Sequence, residues 1–175
     1  MLISTGQGMF ATQDIEPGTV ILREEPLIVM PDRIFQKDDV DDIEEWLEKK
    51  LLKMDAQKRQ TFFDLSDARS DNGDKTILGI FFTNDMSFID ESAALFPVMA
   101  RVNHSCCNTA DFISRIDLGV QDLVSTRLIK KGQEIFISYL PASAEGSADS
   151  KVRQEYTQHW YGFACKCVYC TQKVS

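Results

Sequence analysis

The sequence predicts an α+β fold, mainly β with a helical insert, closed near its C-terminal end by a cysteine cluster. Three observations predict it. Similar strand-turn-strand patterns lie at Thr12–Ile21 and Thr126–Ile135, an amphipathic helical stretch lies between them, and Cys165, Cys167 and Cys170 crowd the end.

The two strand patterns share Thr-x-x-Ile-x-x-Gly-x-x-Ile, and each reads as strand, tight turn, strand. Gly18 and Gly132 can supply the positive φ such turns need, and Pro17 suits a first central turn position. The β-branched runs Val20-Ile21-Leu22 and Ile135-Phe136-Ile137 are the strands that follow. In the insert, Ile43, Trp46, Leu47, Leu51 and Met54 fall on one helical face, with Asp39, Asp41 and Asp42 ahead of them as cap and dipole partners. Asp55 caps a second short helix carrying Phe62, Phe63 and Leu65, and Asn72-Gly73 marks a turn in the polar stretch Ser66 to Lys75. Ile77 to Thr83 is too short and apolar to assign by pattern. Pro141 to Ser150 reads as a flexible surface loop, and Lys151 to Trp160 as a short helix leading into the cysteines.

The 175 residues are one domain's worth of chain with ordinary hydrophobic and charged fractions of 43% and 26%. A formal net charge of −8 argues against a nucleic-acid partner and permits a basic peptide one. No apolar run reaches membrane-spanning length, and the first residues lack a secretory pattern. Five clustered cysteines fit reduced thiols and a metal better than disulfides, so an intracellular protein is expected. The chain has no Gly-x-Gly-x-x-Gly fingerprint or long βαβ alternation, which argues against a doubly wound sheet.

Four constellations carry chemistry. Cys165-x-Cys167-x-x-Cys170 lets three sulfurs converge on one tetrahedral ion, one short of a closed zinc site. The remaining cysteines, Cys106 and Cys107, both follow Asn103-His104-Ser105, so a metal here would pin the C-terminal end against that segment. Gly6-Gln7-Gly8-Met9-Phe10-Ala11 allows close backbone approach to a ligand. Gly132-Gln133-Glu134-Ile135-Phe136-Ile137-Ser138-Tyr139 brings a strand to a tyrosine whose polar tip needs a partner when its ring is buried.

In this order, the four motifs resemble the SET domain, the protein lysine methyltransferase fold, over nearly the whole chain from Gly6 to Cys170. The pairing of Asn-His-Ser-Cys with a three-cysteine post-SET cluster is similar to the SET–MYND branch. Pro31 to Val40 stands where that branch has its MYND finger, and neither that finger nor the branch's C-terminal helical domain is expected from this sequence. Cys107-Asn108-Thr109 also replaces the usual x-Pro-Asn. The resemblance implies small curved sheets, a pseudoknot-like threading of the strand before Tyr139 beneath the Asn-His segment, a SET domain over 1–160 with its insert at about 41–75, and a post-SET segment over 161–175.

It further implies S-adenosyl-L-methionine as cofactor, contacted by Gly6, Gln7, Gly8, Met9, Asn84, Asn103 and His104, with Phe163 stacked on its adenine. Tyr139 would stand at the methyl-transfer site and Tyr161 in the wall of the lysine channel. Cys106 would join Cys165, Cys167 and Cys170 on one structural zinc. The implied reaction is methyl transfer to a lysine of a protein, histone or other, in nucleus or cytoplasm, with no nucleic acid or membrane partner. Such a site must deliver a neutral amine, whose ordinary pKa is about 10.4, by desolvating and aligning it. The rival reading is a catalytically silent SET-fold module that binds a protein tail or the cofactor without turnover.

Overall fold

The computed structural model of the chain describes residues 8–37, 39–70, 73–145, 147 and 149–171. In chain order, β1 (Met9–Phe10), β2 (Val20–Glu24) and β3 (Ile28–Met30) lead into α1 (Asp32–Phe35), α2 (Val40–Leu52), α3 (Ala56–Phe63) and α4 (Ile77–Asn84). Next come β4 (Asp85–Ser87), β5 (Ala93–Leu95), β6 (Asn103–His104), β7 (Ala110–Arg115), β8 (Val120–Ser125) and β9 (Glu134–Ile137). The helices α5 (Ala142–Glu145), α6 (Ser150–Tyr161) and α7 (Val168–Thr171) follow. The strands form three-stranded sheets in the orders β1-β9-β6, β2-β8-β7 and β3-β5-β4. No helix among the described residues is long and apolar enough to cross a membrane. The described residues of Met1–Arg23, Arg101–Ile113 and Asp122–Ser175 make one compact unit, and Glu24–Ala100 with Ser114–Gln121 make another.

The second unit holds the helical insert. Asp39 Oδ1 accepts from the Asp41 N–H at 3.0 Å and starts α2, which turns Ile43, Leu47 and Leu51 inward. Asp55 Oδ1 caps α3 by accepting from Lys58 N at 2.8 Å, and Phe62 is buried while Phe63 is exposed. Leu65 is buried just beyond the helix rather than on it. The short apolar stretch after Thr76 becomes α4, because Thr76 Oγ1 accepts from Gly79 N at 2.9 Å and the helix buries Ile80 and Phe81. The antiparallel registers Val29↔Ala94 and Met86↔Ala94 centre β5 in its sheet. Met30, Leu47, Phe62, Ile80, Phe81 and Leu95 form the fully buried middle of this unit's core.

In the first unit the two echoing segments do not fold back on themselves as separate hairpins. They pair with each other: Ile15 and Ile129 exchange both backbone hydrogen bonds, at 2.8 and 2.9 Å. Gly18 and Gly132 do take the left-handed conformation, with φ of 81° and 83°, so the turns form as expected. Beyond the turns the strands find distant partners, β2 beside β8 and β9 between β1 and β6. A similar local pattern thus encodes the turn and not the pairing. Within the stretch expected as a surface loop, Ala142–Glu145 form the short helix α5 and Ala144 is buried. Helix consequently extends beyond the insert, and α6 starts at the Asp149 cap, whose Oδ1 accepts from Lys151 N at 2.8 Å.

Candidate functional site

The strand β9 organises the site because it is the middle of its sheet. Met9 lies opposite Ile135 in antiparallel register, while Asn103 and His104 lie opposite Phe136 and Ile137 in parallel register. Ser105 N donates to Ile137 O at 3.0 Å, so the chain stays attached just past β6. Three segments far apart in sequence, at Gly8–Met9, Asn103–His104 and Glu134–Tyr139, are thereby drawn to one place. Gly6 and Gln7 lie outside the described residues.

Just past β9, the Tyr139 N–H donates to His104 Nδ1 at 2.9 Å. Nδ1 is therefore the acceptor, and the ring proton sits on Nε2, which lies 3.4 Å from Cys106 Sγ. Burial pushes the His104 pKa down to about 4, so the imidazole is neutral at pH 7. The Tyr139 ring lies 4.8 Å from that of Tyr161 and 6.5 Å from that of Phe163, and His104 lies 6.0 Å from Phe163. The Tyr139 hydroxyl donates to Val102 O at 2.6 Å. Burial, with Tyr161 and Glu134 nearby, pushes the phenol above its ordinary pKa. Tyr139 is thus a neutral phenol whose own proton is committed to a carbonyl, leaving its oxygen lone pairs able to accept.

On the other side of β9, Asn103 Nδ2 donates to Glu134 Oε1 at 2.7 Å. A Cβ on Gly8 would collide with that Oε1 and stand 3.0 Å from Asn103 Nδ2, so any larger residue here must displace the Glu134 carboxylate. Sequence reasoning quoted Glu134 within its motif and assigned it no role. A lone carboxylate on a strand gives no signal until Asn103 and Gly8 close on it. Asn84 belongs to the second unit, at the end of α4, where its Nδ2 donates to Ser66 O and Ile80 O, each at 2.7 Å. Both of its amide protons serve the fold there.

Cys106, Cys165, Cys167 and Cys170 bring their sulfurs within 4.8 Å of one another. Cys106 Sγ is 3.7 Å from Cys165 Sγ and 3.5 Å from Cys170 Sγ. A tetrahedral zinc with sulfurs at about 2.3 Å needs neighbouring sulfurs about 3.8 Å apart, so the donor set and its spacing fit one closed zinc site. Cys107 stays out of the group, its sulfur accepting from Arg127 Nη1 at 3.2 Å. Burial and the neighbouring Cys170 and Cys165 push the Cys106 thiol up. At Cys167 burial acts upward too but is outweighed by hydrogen bonds from Cys165, Cys170 and Tyr169, which bring it down to about 7.

The cysteine loop is held on α6. Gln154 Nε2 donates to Cys165 O at 2.9 Å, and Cys165 N donates to the Thr157 hydroxyl at 3.2 Å. Phe163 N reaches Thr157 O at 3.4 Å just past the end of the helix. The end of α6 and the loop that follows it therefore carry Tyr161 and Phe163 beside Tyr139 and His104, ahead of the three clustered thiols. Chemically, the arrangement offers a cluster of aromatic rings around a neutral imidazole and one oriented phenol, next to a site able to bind a structural metal.

The chain matches the family model described as SET domain over residues 6–140. It is 28% identical over 166 residues to the histone-lysine N-methyltransferase set5 of Schizosaccharomyces pombe, covering 95% of this chain and 47% of that protein. It is 29% identical over 93 residues to the N-lysine methyltransferase SMYD2 of Homo sapiens, covering 53% of this chain and 20% of that protein. The chain thus spans about half the length of the first of these relatives, or less. Among solved structures, the fold is similar to the SET domain of LSMT bound to lysine and AdoHcy, with a TM-score of 0.57 and 13% identity over 94% of this chain and 52% of that one. A family model that spans 6–140 of 175 residues leaves no other assignment: the chain belongs to the SET domain family.

Proposed function

We propose that this protein is an S-adenosylmethionine-dependent protein lysine N-methyltransferase. The observation that carries the proposal is the seating of Tyr139 by β9 among His104, Tyr161 and Phe163. The names of both relatives described above, each a lysine methyltransferase, support the same chemistry, as does a neighbouring fold solved with lysine and AdoHcy.

When bound, S-adenosylmethionine supplies an electrophilic methyl group on a cationic sulfur. The backbone at Gly8 and Met9, the Asn103–Glu134 pair, His104 and Phe163 are the groups assigned to hold it; Gly6, Gln7 and Asn84 are proposed contacts as well. A neutral His104 adds no repulsion to that cation. The rings of Tyr139 and Tyr161 exclude water from a lysine side chain and lower the cost of its losing a proton. With its hydroxyl proton on Val102 O, Tyr139 accepts from an N–H of the amine and fixes the direction of the nitrogen lone pair. Because the phenol is held neutral, Tyr139 acts as an orienting group and not as a base. Cys106, Cys165, Cys167 and Cys170 on zinc keep Tyr161 and Phe163 in place. The proposed substrates are proteins of the nucleus or cytoplasm, histones among them.

The test is transfer of a labelled methyl from S-adenosylmethionine to proteins of a cell extract, with calorimetry of cofactor binding in parallel. Wild type should bind and transfer. Tyr139→Phe should bind almost as well and transfer at least tenfold more slowly, because alignment supplies much of the rate. Full-rate transfer with an unchanged product pattern would overturn the role of Tyr139. Binding without transfer across the extract would favour the silent module.

A further inference from the structure

Arg153 lies on α6 with only 6% of its surface exposed, and its Nε has no hydrogen-bond partner among the described residues. A buried guanidinium is costly unless a negative group compensates it. No Asp or Glu is paired with Arg153 among the described ion pairs. Two of its five N–H bonds are committed to neutral carbonyls: Nη1 donates to Ser147 O, and Nη2 donates to Tyr169 O at 2.7 Å. Tyr169 directly precedes Cys170, so the guanidinium sits against the turn that carries this thiol, whose sulfur lies 3.5 Å from that of Cys106.

Neutral thiols give a buried cation no counter-charge. Four thiolates on a divalent ion carry a formal charge of −2, delocalised over sulfurs that accept hydrogen bonds. We propose that Arg153 is the charge-compensating outer partner of the four-cysteine metal centre, donating to the metal-bound sulfurs of Cys106 and Cys170 and tying the centre to α6. This rests on the reading of those cysteines as a metal site. The arrangement explains why a residue far from every sequence motif is buried at this place. Through the Tyr169 carbonyl, the same side chain also fixes the turn that carries Cys170.

The test loads the full chain with cobalt(II) in place of zinc and compares wild type, Arg153→Lys and Arg153→Met. The readouts are the sulfur-to-cobalt charge-transfer band and the rate of metal loss to a chelator. Loss of an outer partner commonly weakens a metal site about 10- to 100-fold. Arg153→Met should therefore release metal at least tenfold faster and move the band to longer wavelength, since its sulfurs no longer share density with N–H donors. Arg153→Lys keeps the charge without the planar fork and should fall between the two. If Arg153→Met does not fold, the lysine variant decides on the same readouts.

A folded variant with the wild-type release rate and band position overturns the proposal while leaving the metal site intact. A purely structural Arg153 would give that result together with a lower melting temperature. A wild type that takes up no cobalt overturns the metal site and this proposal together.

Discussion

At the scale of single residues, Glu134 shows how one carboxylate oxygen can serve two neighbours: it accepts from Asn103 Nδ2 and lies where a Gly8 side chain would stand. Gly8→Ala should displace it and break the Asn103 bond, a charge-assisted interaction worth roughly 1.5–3 kcal/mol. Calorimetry should then show S-adenosylmethionine binding weakened about tenfold with the circular dichroism spectrum retained; unchanged affinity would remove this pair from the cofactor site. Tyr139, Asn103 and His104 were readable as candidates because each sits inside a compact motif. Glu134 and Arg153 were not, since Glu134 acts through Asn103, 31 positions away, and Arg153 reaches the cysteine turn through Tyr169, 16 positions away. Val102 contributes only a carbonyl to the site, and no side-chain pattern reports that.

At the scale of elements, apolar periodicity behind an acidic start placed α2, and the Asp55 cap placed the start of α3, because those signals act within a few residues. Leu47 shows what the periodicity encodes: it is fully buried at the middle of the α2 face. Leu47→Ala should cost about 2–5 kcal/mol, the sum of lost transfer energy and a residual cavity, read as a lower urea midpoint. A loss under about 1 kcal/mol would mean that this face is not packed as described. Strand pairing was not legible in the same way. The Thr-x-x-Ile-x-x-Gly-x-x-Ile repeat encodes two turns with positive φ, yet Ile15 pairs with Ile129 across the sequence and not within its own segment. The α4 helix escaped prediction for the opposite reason: a uniformly apolar stretch has no polar face to reveal its period, and the Thr76 cap decides it.

At the scale of the whole molecule, stability should depend on pH through a largely desolvated carboxyl that follows α4. Burial pushes the Asp85 carboxyl up to about 7, only partly offset by a backbone hydrogen bond and Arg69. A folded pKa above the unfolded one means that the folded state holds the extra proton, so stability falls as pH rises from about 4 to about 7. Three pKa units at about 1.4 kcal/mol each cap the effect near ~4 kcal/mol, and solvent access to this half-buried residue should reduce it to roughly 1–2 kcal/mol. Asp85→Asn should accordingly be more stable than wild type at pH 8 and equal to it at pH 4 in thermal melts; equal melting temperatures at both would refute the shift. By itself the sequence determined the chemical inventory: three clustered thiols with two candidates for a fourth, an Asn-His segment, a strand ending at Tyr139, and a capped amphipathic insert. Those features depend on residue type and local spacing. Only the tertiary structure decided that β9 lies between β1 and β6, that Cys106 and not Cys107 completes the thiol group, and that Arg153 is buried with a hydrogen bond to Tyr169, next to Cys170. Such outcomes depend on which distant segments share a core, and backbone hydrogen bonding is indifferent to side-chain identity until packing selects the partner.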